Sequence, residues 1–424
     1  MAGLSLPVPL WYARRRPVYQ GGHEVALLEG GEALFPAMVR AIDAATDEVW
    51  LAVYLFNDDP SAEQVARALD RAARRGVRVR VVVDGFGCHD TLVALRRWWQ
   101  GGPVAWVVYR PLDRWWRWLQ PGHLRRMHAK LCVVDGEWAF VGGINLIDDR
   151  IDQHHGALDA PRLDYAVGLR GPAVEAVTQT VRALWSRAAF GADWRDGLSR
   201  WRQAGPGLAA LRQGLQAMRW PRVAPTEGAE RAQGSEVAFV LRDNLRQRRG
   251  IEVALLEAMD AAQSHIDIAC AYFYPGRWLR RSLKAAAQRG VQVRLLLQGQ
   301  VDLKVAGLAA EALYGELLQA GVQIYEYTPA FLHAKVVRVD GCWATVGSSN
   351  LDPLSMWVNF EANVAVRDEA LVARLAASLQ AALAVSRPVT PTAVASGWSR
   401  RLKPALVSLL VRLYLRVAGV RHLH

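Results

Sequence analysis

Residues 128–145 read His128-Ala-Lys130-Leu-Cys-Val-Val-Asp135-Gly-Glu-Trp-Ala-Phe-Val-Gly-Gly143-Ile-Asn145, and residues 333–350 read His333-Ala-Lys335-Val-Val-Arg-Val-Asp340-Gly-Cys-Trp-Ala-Thr-Val-Gly-Ser348-Ser-Asn350. Both stretches carry His at i, Lys at i+2, Asp at i+7, Gly at i+14 and Asn at i+17. From the His, Lys and Asp content of the chain, His-x-Lys-x4-Asp is expected about 0.006 times by chance, so two copies are not accidental. Only five of the 52 basic residues are lysines, and two of the five occupy this motif position. A chain that uses arginine almost everywhere else requires a compact ammonium there.

The repeat extends outward from the motif. Ala41-Ile-Asp-Ala-Ala-Thr matches Ala258-Met-Asp-Ala-Ala-Gln, and Arg75-Gly-Val-Arg-Val-Arg-Val-Val-Val-Asp84-Gly matches Arg289-Gly-Val-Gln-Val-Arg-Leu-Leu-Leu-Gln298-Gly. Each copy begins with a helix of 3.6-residue apolar spacing, Leu34 to Ala45 or Ile251 to Ala262, that leads into an apolar strand, Val49 to Phe56 or Ile266 to Phe273. A second helix ends at Gly76 or Gly290 and opens into a β-branched strand, Val77 to Val83 or Val291 to Leu297. The order β-α-β predicts an α/β fold: two repeated βα domains with central mixed, mainly parallel sheets, related by a pseudo-twofold around one active site. The boundaries follow as residues 1–203, a Gly/Pro-rich linker at 204–236, residues 237–390, and a basic amphipathic tail at 391–424.

Composition bounds the class. The 424 residues carry a net charge of +12, are 52% hydrophobic and contain four cysteines far apart, which excludes a disulfide framework and fits a reducing compartment. The charge is uneven. After Glu369 no acid follows and the tail gains +8, while residues 96–130 hold a further +7 together with Trp98, Trp99, Trp106, Trp115, Trp116 and Trp118. Tryptophan interleaved with arginine in a loop suits a lipid interface; the competing reading is a tryptophan-rich core beside a solvated basic face. No apolar run reaches the length of a spanning helix, so the chain is expected to be soluble or peripheral.

Strand periodicity puts His and Lys of each motif on one face, and Asp-Gly turns the chain into a second strand. The small residues Gly143 and Ser348 let backbone N–H groups approach an anion, and the amides of Asn145 and Asn350 donate to it. Two His, two Lys and two Asn describe a phosphate site built without metal or cofactor. His154-His155, near Asp148, Asp149 and Asp152, is a weaker candidate for a metal.

These residues resemble the phospholipase D superfamily through its paired HKD motifs, and within it the cardiolipin synthases that lack transmembrane anchors. Val141-Gly-Gly-Ile-Asn145, Leu163-Asp164-Tyr-Ala-Val167 and Leu27-Leu-Glu-Gly-Gly31 carry the narrower likeness, whereas Ala129 stands where such synthases often have Arg. The resemblance implies a catalytic set of His128, Lys130, Asp135, His333, Lys335 and Asp340, with substrate contacts from Asn145, Asn350, Gly143 and Ser348. It implies transfer of a phosphatidyl group between two phosphatidylglycerol molecules, with release of glycerol, through a phosphohistidine. The expected partner is an anionic phospholipid at the cytoplasmic face of the cell membrane, and no nucleic acid is expected. A hydrolase or nuclease of the same superfamily would share every catalytic residue, but nucleic acid accounts poorly for six tryptophans and an apolar tail. Each imidazole needs a carboxylate on its other nitrogen, and Asp164, 36 residues after His128, and Glu361, 28 after His333, occupy matching places. Asp-Gly turn preference assigns Asp135 and Asp340 to the hairpin turns rather than to substrate.

Overall fold

The computed structural model describes residues 16–112, 125–152, 155–204, 234–243, 247–300 and 304–390. The 391–424 tail, most of the linker, Trp115, Trp116, Trp118 and His154 lie outside the described residues. The first unit runs β1 (Gln20–Glu29), α1 (Gly30–Ala44), β2 (Glu48–Val53), α2 (Pro60–Arg74), β3 (Arg78–Asp84), α3 (Leu92–Trp99), β4 (Ala105–Tyr109), β5 (Lys130–Val134), β6 (Trp138–Gly142), the short pair β7 (Ile151–Asp152) and β8 (Gly156–Ala157), β9 (Tyr165–Arg170) and α4 (Ala173–Ala204). The second runs β10 (Ser235–Arg242), α5 (Gly250–Ala261), β11 (His265–Cys270), α6 (Arg277–Gln288), β12 (Gln292–Gln298), α7 (Lys304–Gln319), β13 (Gln323–Tyr327), β14 (Lys335–Val339), β15 (Trp343–Gly347), α8 (Pro353–Trp357), β16 (Glu361–Arg367), α9 (Glu369–Ala384) and β17 (Arg387–Pro388).

Local chemistry sets the boundaries. Asp59 caps α2 by accepting from Ala62 N, Pro60 fills the first turn, and the helix stops before Gly76, whose φ of +95° a side chain would strain. β2 is buried along its whole length, because both faces of the sheet are covered by helices.

The two units share one 15-stranded sheet of order β17-β13-β12-β11-β14-β15-β16-β10-β1-β9-β6-β5-β2-β3-β4, in which the two units mirror each other about the β10–β1 seam and only the edge strand β17 lacks a counterpart among the described residues. The α/β duplication is as expected, and the sheet is mixed; its balance is not. Among the described residues only β2–β3–β4 and β11–β12–β13 run parallel, and every other pairing is antiparallel. The reason lies in the motif itself. A three-residue Asp135–Glu137 connection joins β5 to β6 and permits only an antiparallel ladder, which reverses direction next to β2. Helices α4 and α9 contribute to one core on one face of the sheet, while α1–α3 and α5–α7 cover the other.

For the basic tryptophan segment, the core reading holds for its described half. Trp99 is buried and donates Nε1–H to Ala66 O at 3.2 Å, and Trp98 and Trp106 pack against the same core beside Phe56. Half of its tryptophans therefore belong to α3 and β4 and serve the fold.

Candidate active site

His128 and His333 stand two residues before β5 and β14, and Lys130 and Lys335 begin those strands, so the i, i+2 spacing brings each pair to one end of the sheet. The two halves clasp each other there. His128 N and Ala129 N donate to Phe360 O at 2.9 and 3.1 Å, and Phe360 N donates to Arg126 O at 2.8 Å. In mirror fashion His333 N donates to Leu163 O at 2.9 Å, and Leu163 N to Phe331 O at 3.1 Å. The next residue after each clasping residue is an acid. Glu361 places Oε1 and Oε2 3.1 and 3.0 Å from His128 Nδ1, and Asp164 places Oδ2 2.6 Å from His333 Nδ1. Both acids expected from their sequence positions stand against an imidazole Nδ1, and each contacts the histidine of the other half. One active site needs both units.

Both acids are buried, Glu361 fully and Asp164 to 2% exposure. Burial pushes each carboxyl up. Lys335, His333 and the Tyr165 N–H outweigh it at Asp164, while His128, Lys130 and the Ser348 hydroxyl do so at Glu361, so both stay below the usual carboxylate range. Burial lowers His128, opposed by Glu361, and burial together with the Lys335 ammonium, 2.9 Å from Nδ1, takes His333 down to about 3. The imidazoles are therefore neutral at pH 7. A carboxylate accepting from Nδ1–H fixes the tautomer that leaves Nε2 with its lone pair. Lys130 Nζ donates to His128 O at 2.7 Å and lies 5.3 Å from the Tyr54 ring centroid; burial and the nearby Lys335 bring it down to about 7. Two lysine amines and two imidazoles thus gather at one end of the sheet, and the buried acids reach the cations as well, with Asp164 Oδ2 3.8 Å from Lys335 Nζ.

A family model described as the cardiolipin synthase, PLD-like domain, matches residues 38–158 and 255–383. Cardiolipin synthase B of Escherichia coli (strain K12) is 34% identical over 351 residues, covering 82% of this chain and 78% of its own. The same enzyme of Salmonella typhi is 34% identical over 363 residues, 85% of this chain and 81% of its own. The chain belongs to the phospholipase D-like cardiolipin synthases. Phosphatidylserine synthase of Haemophilus influenzae Rd KW20 shares the fold, with a TM-score of 0.66 across 96% of each chain at 12% identity.

Within this member of the family, the other expected site residues divide. Asn145 is buried with Oδ1 unpartnered among the described residues, and Asn350 Oδ1 accepts from Tyr272 N at 3.4 Å. Gly143 and Ser348 do not offer free N–H groups to an anion, because Gly143 N donates to Tyr165 O at 2.9 Å and Ser348 N to Ala362 O at 3.0 Å. They act on the acids instead. A Cβ at 143 would stand 2.4 Å from Asp164 Oδ1, and Ser348 Oγ donates to Glu361 Oε2 at 2.5 Å. Asp135 and Asp340, placed in the catalytic set by the motif, are corrected: they sit at the opposite end of the strands, where the turns are. Asp135 accepts from Thr46 N, Asp47 N and Glu48 N at 2.8–2.9 Å, and Asp340 accepts from Gln263 N, Ser264 N and His265 N. They staple the entry of β2 and β11. His155 pairs with Asp152 at 2.9 Å, and no group of three metal-ligating side chains occurs among the described residues.

One positioning residue escaped the motif. Asp84, fully buried at the end of β3, accepts from Met127 N at 2.9 Å and from Phe86 N at 2.8 Å, with Arg126 Nη1 at 3.8 Å. Its counterpart Gln298 donates to Leu332 O at 3.0 Å. Each holds the residue before the histidine, one as acceptor and one as donor. The signal was present in the repeat, where a polar residue follows three apolar ones at the end of the strand in both copies.

Proposed function

We propose that the protein is a phosphatidyltransferase that joins two phosphatidylglycerol molecules into cardiolipin and releases glycerol. The observation that carries the chemistry is the pair of neutral imidazoles, each pinned through Nδ1 by a buried carboxylate from the other half, so that both Nε2 atoms are available at one site. His128 Nε2 attacks phosphorus and forms the P–N bond as the P–O bond to glycerol breaks. The proton for the departing alkoxide comes from His333. Entry of an anionic phosphodiester between Lys130 and Lys335 offsets the ammonium charge that depresses His333, so the imidazole gains its proton as substrate binds. The shorter 2.6 Å contact with Asp164 suits this acid–base role, because it stabilises the imidazolium. In the second half-reaction His333 takes the proton of the incoming hydroxyl of a second phosphatidylglycerol, and the P–N bond breaks as the new P–O bond forms. Lys130, Lys335, Asn145 and Asn350 face the charge on the phosphoryl oxygens.

No described helix is long and apolar enough to cross a membrane, and the four cysteines are unpaired, which support a peripheral protein at the cytoplasmic face. The test is incubation of the purified protein with labelled phosphatidylglycerol vesicles and separation of the lipids. Cardiolipin and glycerol should appear one to one. Phosphatidic acid in place of cardiolipin would make water the acceptor and the protein a hydrolase; no lipid product at all would overturn the reading.

A further inference from the structure

We propose that the sheet edge carrying His128 and His333 is the face that lies on an anionic phospholipid bilayer, and that Trp278, stacked by Arg277 and Arg281 at the head of α6, anchors its second half. The proposal rests on the lipid-substrate reading above and names the surface that delivers it.

Strand register defines the edge. Cys270, the last residue of β11, pairs with Lys335, and Ala52 near the end of β2 pairs with Leu131, so both motif lysines stand at the carboxyl ends of the parallel strands. The exposed large hydrophobic side chains among the described residues are Phe86, Val93, Trp278, Leu308, Leu354 and Val385. All six lie on that edge. Phe86 follows β3, and Val93 and Trp278 occupy the first turns of α3 and α6. Leu308 sits near the start of α7 after β12, and Leu354 four residues beyond Asn350. Val385 stands between α9 and β17, whose Arg387 pairs with Glu326 near the end of β13. The opposite edge holds the Asp135 and Asp340 turns, Gly76 and Gly290, and none of the six. Apolar exposure gathered on one side of a molecule marks an interaction surface.

The charge beside it selects the occupant. The guanidinium carbons of Arg277 and Arg281 lie 5.1 and 5.4 Å from the Trp278 ring centroid, and neither has a carboxylate within ion-pair reach among the described residues. Arg280 and Lys284 of the same helix are neutralised by Glu316 at 2.8 and 2.6 Å. The helix therefore spends its inward cations on a protein acid and keeps two at the lip with an indole between them. An indole suits the headgroup level and an arginine suits lipid phosphate. Placed so, the reacting phosphodiester reaches the two histidines without leaving the leaflet.

The experiment uses the full chain and vesicles of phosphatidylglycerol mixed with phosphatidylcholine. Trp278→Ala and the double variant Arg277→Glu/Arg281→Glu should each weaken vesicle binding, the double variant by about tenfold or more and most at low salt. Turnover on a short-chain phosphatidylglycerol below its micellar concentration should stay unchanged. Arg74→Glu, at the other edge, is the control and should bind as the parent does. Melting curves identify any variant that fails to fold, in which case Trp278→Phe, which keeps a ring, and Trp278→Gln, which does not, replace it. Parental vesicle binding by folded Trp278 and arginine variants overturns the proposal. A parent that binds vesicles through this edge yet makes no cardiolipin leaves the surface standing and removes the functional reading instead.

Discussion

Replacing Gly143 by alanine adds one methyl group, yet its carbon would stand 2.4 Å from Asp164 Oδ1, 3.0 Å from Oδ2 and 3.1 Å from Cγ. The first is closer than a Cβ can stand and the other two are tight, so the carboxylate must turn away. Gly143 is not at positive φ, so the substitution carries no backbone strain of its own. What is lost is the 2.6 Å contact from Asp164 Oδ2 to His333 Nδ1, a hydrogen bond to a charged group worth about 1.5–3 kcal/mol. If that contact stabilises the imidazolium only while a proton is moving, kcat falls by about tenfold to a hundredfold. The assay is release of the leaving alcohol from a short-chain soluble phosphodiester, with a melting curve beside it to separate lost chemistry from lost fold. Gly341→Ala, where nothing lies within 4 Å of the added carbon, should turn over as the parent does. A folded Gly143→Ala enzyme with parental kcat would refute the claim that the missing side chain at 143 holds Asp164 against His333.

The remaining expectations concern the cations, the histidines, the turns and metal. His128→Ala and His333→Ala should each cost several orders of magnitude in turnover while melting as folded proteins; normal turnover by either would break the shared-site model. Lys130→Met should abolish activity but raise the melting temperature at or below pH 7. The folded-state value near 7 lies below the ordinary lysine range, so a buried ammonium is carried below pH 7, and the gap should narrow as pH rises toward 10. Asp340→Asn should leave turnover intact and reduce stability at neutral pH by about 1 kcal/mol, allowing for solvent screening. Because backbone N–H groups hold Asp340 down to about 2, that difference should vanish as pH falls from 4 to 2 in acid melts. EDTA should leave turnover unchanged once lipid presentation is controlled; recovery from zero on adding Mg²⁺ would mean that the lysines do not supply the neutralising charge.

The linear sequence determined the duplication, the helix–strand order around Gly76 and Gly290, and the six His, Lys and Asn positions, since each depends on local periodicity or on identity at fixed spacing. It also ranked Asp164 and Glu361 as the acids, by their matching places ahead of a strand. Four matters were decided only by the tertiary structure. The sheet is mostly antiparallel because each motif hairpin inserts beside the parallel strands and reverses the ladder, a pairing choice invisible to any window of the chain. Trp99 is a core residue because Ala66 O lies within reach of its indole N–H, which composition cannot show. Gly143 and Ser348 shape carboxylates rather than bind an anion, because the strand ladder consumes their N–H groups. The exchange of acids between halves follows from Phe360 O and Leu163 O clasping the strand of the opposite motif, contacts that span 232 and 170 residues of chain. Neither half alone holds an oriented histidine, since the carboxylate that fixes each imidazole is brought to it by folding of the other copy.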